Sequence, residues 1–98
     1  MFSLTTKYIS SDDCYFYFRE DGHVVIVSEV EGPMITINHI VNDIDFPKEI
    51  AIKNYSENIG IYNELLRLGV IGECTREIST GYTSLLICPF YKDKAERL

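Results

Sequence analysis

Four aromatic side chains stand in a row in Cys14-Tyr15-Phe16-Tyr17-Phe18-Arg19, and after Glu20-Asp21-Gly22 comes a valine- and isoleucine-rich run from His23 to Val30. Aromatic and β-branched residues fit the pleated, half-buried surface of a strand. Asp-Gly is a favoured pair for a two-residue type I′ hairpin turn. The two runs therefore predict an antiparallel hairpin, which commits the chain to a sheet. With Asp21-Gly22 as the turn, Phe18 lies opposite Val25 and Phe16 opposite Val27 on a core face. On the other face Arg19 meets Val24, Tyr17 meets Ile26 and Tyr15 meets Ser28.

The flanking patterns extend this hairpin into a meander. Phe2 to Ile9 alternates weakly and is followed by the turn-rich Ser10-Ser11-Asp12-Asp13. Glu31-Gly32-Pro33 interrupts the third strand, and Met34 to Val41 alternates into a fourth. Beyond the loop Phe46-Pro47-Lys48-Glu49, Ile50-Ala51-Ile52 reads as a short strand. One main helix is expected over about residues 57–68, capped by Asn54 or Ser56, with Glu57 at the positive end of its dipole and Gly69 as its left-handed stop. Ile59, Ile61, Tyr62, Leu65, Leu66 and Leu68 fill about half its circumference, which implies a deeply seated core element. Gly60 within it costs about 1 kcal/mol relative to alanine. Val70 to Ile78 and Tyr82 to Phe90 predict a second hairpin around a three-residue loop, Ser79-Thr80-Gly81. The charged residues 92–98 are expected to fray. The expected class is thus α+β: an antiparallel sheet, made of an N-terminal four-stranded meander plus a C-terminal hairpin, packed against one main helix. A chain of 98 residues suits a single domain over 1–98.

Charge narrows the partners. The formal net charge is −6, and it is unevenly placed. Residues 1–50 hold three basic groups (Lys7, Arg19, Lys48) against nine acidic ones, whereas residues 51–98 hold six of each. Such a distribution repels nucleic acid and anionic membrane and favours a basic partner. In a meander, Asp12, Asp13, Glu29 and Glu31 gather at one end of the sheet, and Glu20, Asp21, Asp43 and Asp45 at the other. The first residues, Met1-Phe2-Ser3-Leu4-Thr5-Thr6-Lys7, show no basic stretch followed by an apolar one, so no export signal is expected. Apolar runs such as Leu85-Leu86-Ile87-Cys88 are far too short to span a bilayer. Three cysteines without a C-x-x-C pair suit a reducing compartment, and the expected location is the cytoplasm.

No constellation reaches the standard of a catalytic or metal site. Asp43 and Asp45 are two carboxylates where a hard cation wants more oxygens. Asp12-Asp13 and Glu20-Asp21 read as turn residues, and loop tips do not split carboxylate pKa values as acid–base catalysis needs. Cys74 and Cys88 fall diagonally on one face of the predicted hairpin, about 7 Å apart between the two backbones, the outer limit for a disulfide. Zinc would need His23 and His39 from other strands, at no recognisable spacing. Neither histidine has a nucleophile in a triad-like pattern, Cys14 included. Gly69-Val70-Ile71-Gly72 follows a helix instead of opening one, so it offers phosphate no positive dipole end.

What remains is the Tyr15/Tyr17 face. Tyrosine suits interfaces because one end is apolar and the other hydrogen-bonds. The expectation is a non-enzymatic binding protein without metal or cofactor, of the inhibitor, immunity or phage-decoy type. Its partner is a basic protein surface, met through Tyr15, Tyr17, Asp12, Asp13, Glu29 and Glu31. Two alternatives stay open: a small-molecule sensor with a pocket between helix and sheet, and a homo-oligomer.

Overall fold

The computed structural model describes residues 1–98 and places them in ten regular elements: β1 (Phe2–Thr5), β2 (Ser10–Phe18), β3 (Val24–Ser28), β4 (Gly32–Thr36), β5 (Asn38–His39), β6 (Glu49–Lys53), α1 (Ile61–Leu68), β7 (Arg76–Ser79), β8 (Ser84–Pro89) and α2 (Lys92–Arg97). The strands form two four-stranded antiparallel sheets, ordered β1-β2-β3-β4 and β5-β6-β8-β7. The expected α+β class, meander and C-terminal hairpin are all present, with the hairpin in a second sheet that it shares with β5 and β6. No helix is long and apolar enough to cross a membrane.

Ile37 is where the chain changes sheets. Its N–H donates to the Val24 carbonyl of the first sheet (2.9 Å), and its own carbonyl accepts from Lys53 N in the second (2.9 Å). The strand expected over Met34 to Val41 is therefore two strands that part at this residue. Asn38, fully buried, repairs the seam: its Oδ1 accepts from Val24 N (2.8 Å) and its Nδ2 donates to Gly22 O (3.2 Å). A buried amide is tolerated here because both of its ends are paired.

The main core lies between the sheets. Leu4, Phe16, Val24 and Ile26 from the first meet Ile50, Ile52 and Cys88 from the second, with Ile61 and Leu65 of α1 in the same cluster. A smaller cluster of Ala51, Leu85 and Ile87 covers the far face of the second sheet, under Val41, Ile44 and Tyr55. The helix is shorter and shallower than its apolar arc implies. Gly60 takes φ +94°, a left-handed conformation that no α-helix continues through, so α1 starts at Ile61 after a separate 3-10 turn at Ser56–Asn58. Neither Asn54 nor Ser56 caps a helix at residue 57; instead Asn54 Oδ1 accepts from Tyr62 N in the first turn of α1 (3.0 Å). Only Ile61 and Leu65 are fully buried. Gly69 does end the helix at φ +74°.

Other boundaries also move. Ser10 to Asp13 belong to β2, because the turn falls earlier: Thr6 N donates to Ile9 O (2.8 Å), and the Thr6 hydroxyl accepts from Ile9 N (3.2 Å). The C-terminal hairpin pairs Ile78 with Leu85 and Ser79 with Ser84, and Thr80 N donates to Thr83 O (2.9 Å). Gly81, at φ +86°, thus heads a two-residue loop, the position a II′ turn gives to glycine, and Tyr82 at the tip is fully exposed. The tail 92–98, expected to fray, contains α2. Ala95 is buried in the main core, and Lys92 Nζ stands 5.4 Å from the centre of the Phe18 ring.

One edge of the first sheet is closed by side chains. On β1, Thr5 N donates to Glu64 Oε1 (2.9 Å) and Ser3 O accepts from Arg67 Nη2 (2.8 Å), while Arg67 and Glu64 pair with each other on α1. Groups that would otherwise recruit a foreign strand are thereby occupied.

Candidate functional site

The outer face of the first sheet is built by the β2–β3 hairpin, and its register differs from the expected one. Gly22 N donates to Arg19 O (3.1 Å), Arg19 N donates to His23 O (2.9 Å), and Gly22 lies at φ +96°. The loop is therefore Glu20-Asp21-Gly22, a turn followed by a left-handed glycine, and Asp21 Oδ1 fixes it by accepting from His23 N (3.0 Å). One extra loop residue slides β3 by one position, which reverses its faces. Phe16 now opposes Ile26 and Phe18 opposes Val24 towards the core, while Tyr15 opposes Val27 and Tyr17 opposes Val25 on the outer face.

Two cross-strand rows result. Tyr15, Val27 and Pro33 form one; Tyr17, Val25 and Thr36 form the other. Pro33 sits on the edge strand β4, where its missing N–H breaks no ladder. Val25 and Val27 are buried yet belong to neither hydrophobic cluster, so neighbours on their own face shield them. Tyr17 is 56% exposed and Tyr15 half-buried. The C-terminal hairpin does not cover this face; it lies in the second sheet, across the core. Sequence reasoning finds the two tyrosines but misses Val25, Val27, Pro33 and Thr36. The signal for the valines is Gly22, once it is read as the left-handed residue of a three-residue loop.

At one end of the face the acidic residues divide into two kinds. Asp13 is a clasp: its Oδ1 accepts from the hydroxyls of Ser11 (2.7 Å) and Ser28 (2.9 Å), and its Oδ2 accepts from Val30 N (2.9 Å). Those hydroxyls, more than the N–H, hold its carboxyl below the ordinary carboxylate range. Asp12, Glu29 and Glu31 are exposed, and none makes an ion pair. Between the two glutamates Val30 is 87% exposed. At the opposite end Asp21 is held low chiefly by His23, through its N–H and ring, and pairs with Arg19 (2.9 Å). Glu20 and Asp21 border a shallow depression there with Tyr17 and Arg19.

The remaining candidates are dispersed. Asp45 and Asp43 face the second sheet through their backbones: Asp45 N donates to Glu49 Oε1 and Asp43 O accepts from Arg76. No three His, Cys, Asp or Glu side chains converge as a metal would require. His39 Nε2 meets Tyr55 Oη at 3.0 Å, and burial, with the charge of Lys53, lowers its pKa. Beside it a hollow of about 90 Å³ is lined by Gly22, Ile40, Val41, Ile44 and Phe46. Since the tail folds back as α2, Lys48, Lys92, Lys94 and Arg97 line one open groove next to Tyr91. None of these concavities is lined by α1.

Comparison with protein-family models, with curated proteins and with solved structures finds no match for this chain.

Proposed function

We propose that this chain is a non-enzymatic binding protein of the cytoplasm that docks a basic protein surface through the outer face of its first sheet, as small inhibitors, immunity proteins and decoys do. One observation carries the reading. Of the four sheet faces, two enclose the main core and a third lies under Val41, Ile44 and Tyr55, while the face bearing Tyr15 and Tyr17 has no element over it. Its valine floor and tyrosine flanks suit the centre of an interface, where aromatic anchors supply most of the binding energy. Asp12, Glu29 and Glu31, free of ion pairs, supply the acidic rim. Such a rim steers encounter with a basic partner and sets the on-rate more than the final affinity.

Charge also separates this reading from self-association, since a second copy brings its own −6 and the same acidic rim. A small-molecule site is less well served. The two larger concavities are open to solvent, and the more enclosed hollow beside His39 holds about 90 Å³, whereas ligand pockets begin at roughly 300 Å³.

The test is capture from a native-host lysate at low salt, followed by association kinetics. The expected partner is a basic protein whose association rate falls about tenfold or more between roughly 50 and 500 mM salt. The same slowing is expected for the triple variant Asp12→Ala, Glu29→Ala, Glu31→Ala. Asp13 is left intact, because its loss would unclasp the β3–β4 turn. A partner indifferent both to salt and to the triple variant ends the proposal.

A further inference from the structure

Residues 72–75 run alongside β8. Gly72 N donates to Pro89 O (3.0 Å) and Thr75 N to Ile87 O (2.8 Å), so Cys74 and Cys88 fall side by side between these two bonds. The diagonal, 7 Å placement expected from sequence is replaced by opposition, because Thr75 and Arg76 both face Ile87 and this bulge shifts the register by one residue before Cys74. Each thiol donates to a carbonyl of its own chain segment, Cys74 Sγ to Arg76 O (3.1 Å) and Cys88 Sγ to Leu86 O (3.6 Å). Tyr62 Oη accepts from Cys74 N (2.9 Å) and pins that residue from α1. Cys88 is fully buried in the main core, whereas Cys74 packs against the core and is partly open to solvent. The third thiol, Cys14, lies in the other sheet with its Sγ towards Ser11 O.

We propose that Cys74 and Cys88 are a redox pair: Cys74 meets a hydroperoxide, and Cys88 resolves the product into an intramolecular disulfide. The Cys74 thiolate attacks one peroxide oxygen, an S–O bond forms and the O–O bond breaks. The departing alkoxide or hydroxide takes a proton as alcohol or water. Cys74 is then a sulfenic acid, oxidised by two electrons as the peroxide is reduced. The Cys88 sulfur next attacks the Cys74 sulfur; the S–S bond forms, the S–OH bond breaks, and hydroxide leaves as water with the Cys88 proton. Burial first, then the charge of Cys74 and a hydrogen bond to it, push the Cys88 thiol up to about 12, so Cys88 keeps that proton until the second step. Exposure gives Cys74 the first step, and adjacency gives Cys88 the second.

The experiment is brief treatment of the wild-type protein with a small excess of hydrogen peroxide, followed by thiol titration, intact mass and peptide mapping. The expected result is a fall from three free thiols to one, a mass lower by two hydrogens, and a Cys74–Cys88 cross-linked peptide that dithiothreitol releases. Cys14→Ser should leave the cross-link unchanged. Cys88→Ala should leave a sulfenic acid on Cys74 that dimedone traps. Oxygen adducts on Cys74 with Cys88 still reduced in the wild-type protein, or dimers joined through Cys74, would overturn the proposal; the wild-type map decides even where a variant folds poorly.

Discussion

Asp13 shows how a residue that looks like surface charge serves the fold. Two hydroxyls and a backbone N–H converge on its carboxylate, which makes the connection between β3 and β4 dependent on its ionised form. Since its folded pKa lies below its unfolded one, its contribution is complete above the ordinary carboxylate range and disappears as pH falls through the folded value. Asp21, Glu49 and Glu64, held low by His23, by Asp45 N with Arg76, and by Arg67 respectively, act with the same sign. Asp13→Ala should therefore lower the urea midpoint at about pH 7, and the gap from wild type should close at about pH 2. An equal gap at both values would show that the carboxylate charge is not what is lost. From sequence, Asp12 and Asp13 are indistinguishable neighbours. Their different roles arise from Ser28, fifteen positions from Asp13, which only the folded sheet brings within reach.

At the scale of elements, the seam at Ile37 and Asn38 matters most, because it turns one alternating segment into the shared border of two sheets. Asn38→Ala should lower stability by about 2–4 kcal/mol, since it strands Val24 N in a buried site and Gly22 O in a half-buried one. Chemical denaturation measures this, and a loss under about 0.5 kcal/mol would mean that water replaces the amide without penalty. Alternation over Met34 to Val41 cannot reveal such a seam, because period two is the same in either sheet. The β2–β3 hairpin was legible as a hairpin, and the faces of β2 followed from Phe16 and Phe18. The faces of β3 did not, because Asp-Gly serves both a two-residue turn and a three-residue loop, and only the backbone angle at Gly22 separates them. Likewise Gly60 registered in the sequence as a modest helix penalty, whereas its positive φ stops the helix outright. The folding of the tail rests on Ala95, too small an apolar residue to signal a buried helix in a charged stretch.

For the whole molecule, the distribution of cover is the fact that bears on function. Side chains of α1 close the edge at β1, the core joins two sheet faces, and the 40–46 segment shelters a third. The acidic first half supplies both the uncovered face and its rim, and the charge-balanced second half supplies the support behind it. In the proposed docking, the acidic half of the chain is thus also the half that presents the open face. The apolar floor of Val25 and Val27, on which the proposed docking relies, depends on a register the sequence left ambiguous. The most direct measurement is the dissociation constant of the captured partner for wild type against Tyr17→Ala. Tyr17 is exposed and lies outside both hydrophobic clusters, so its truncation should leave the fold intact. If the tyrosine face is the docking surface, binding should weaken about thirtyfold or more, a loss of about 2 kcal/mol. A constant that stays within about twofold of wild type, in a variant that melts normally, would contradict it.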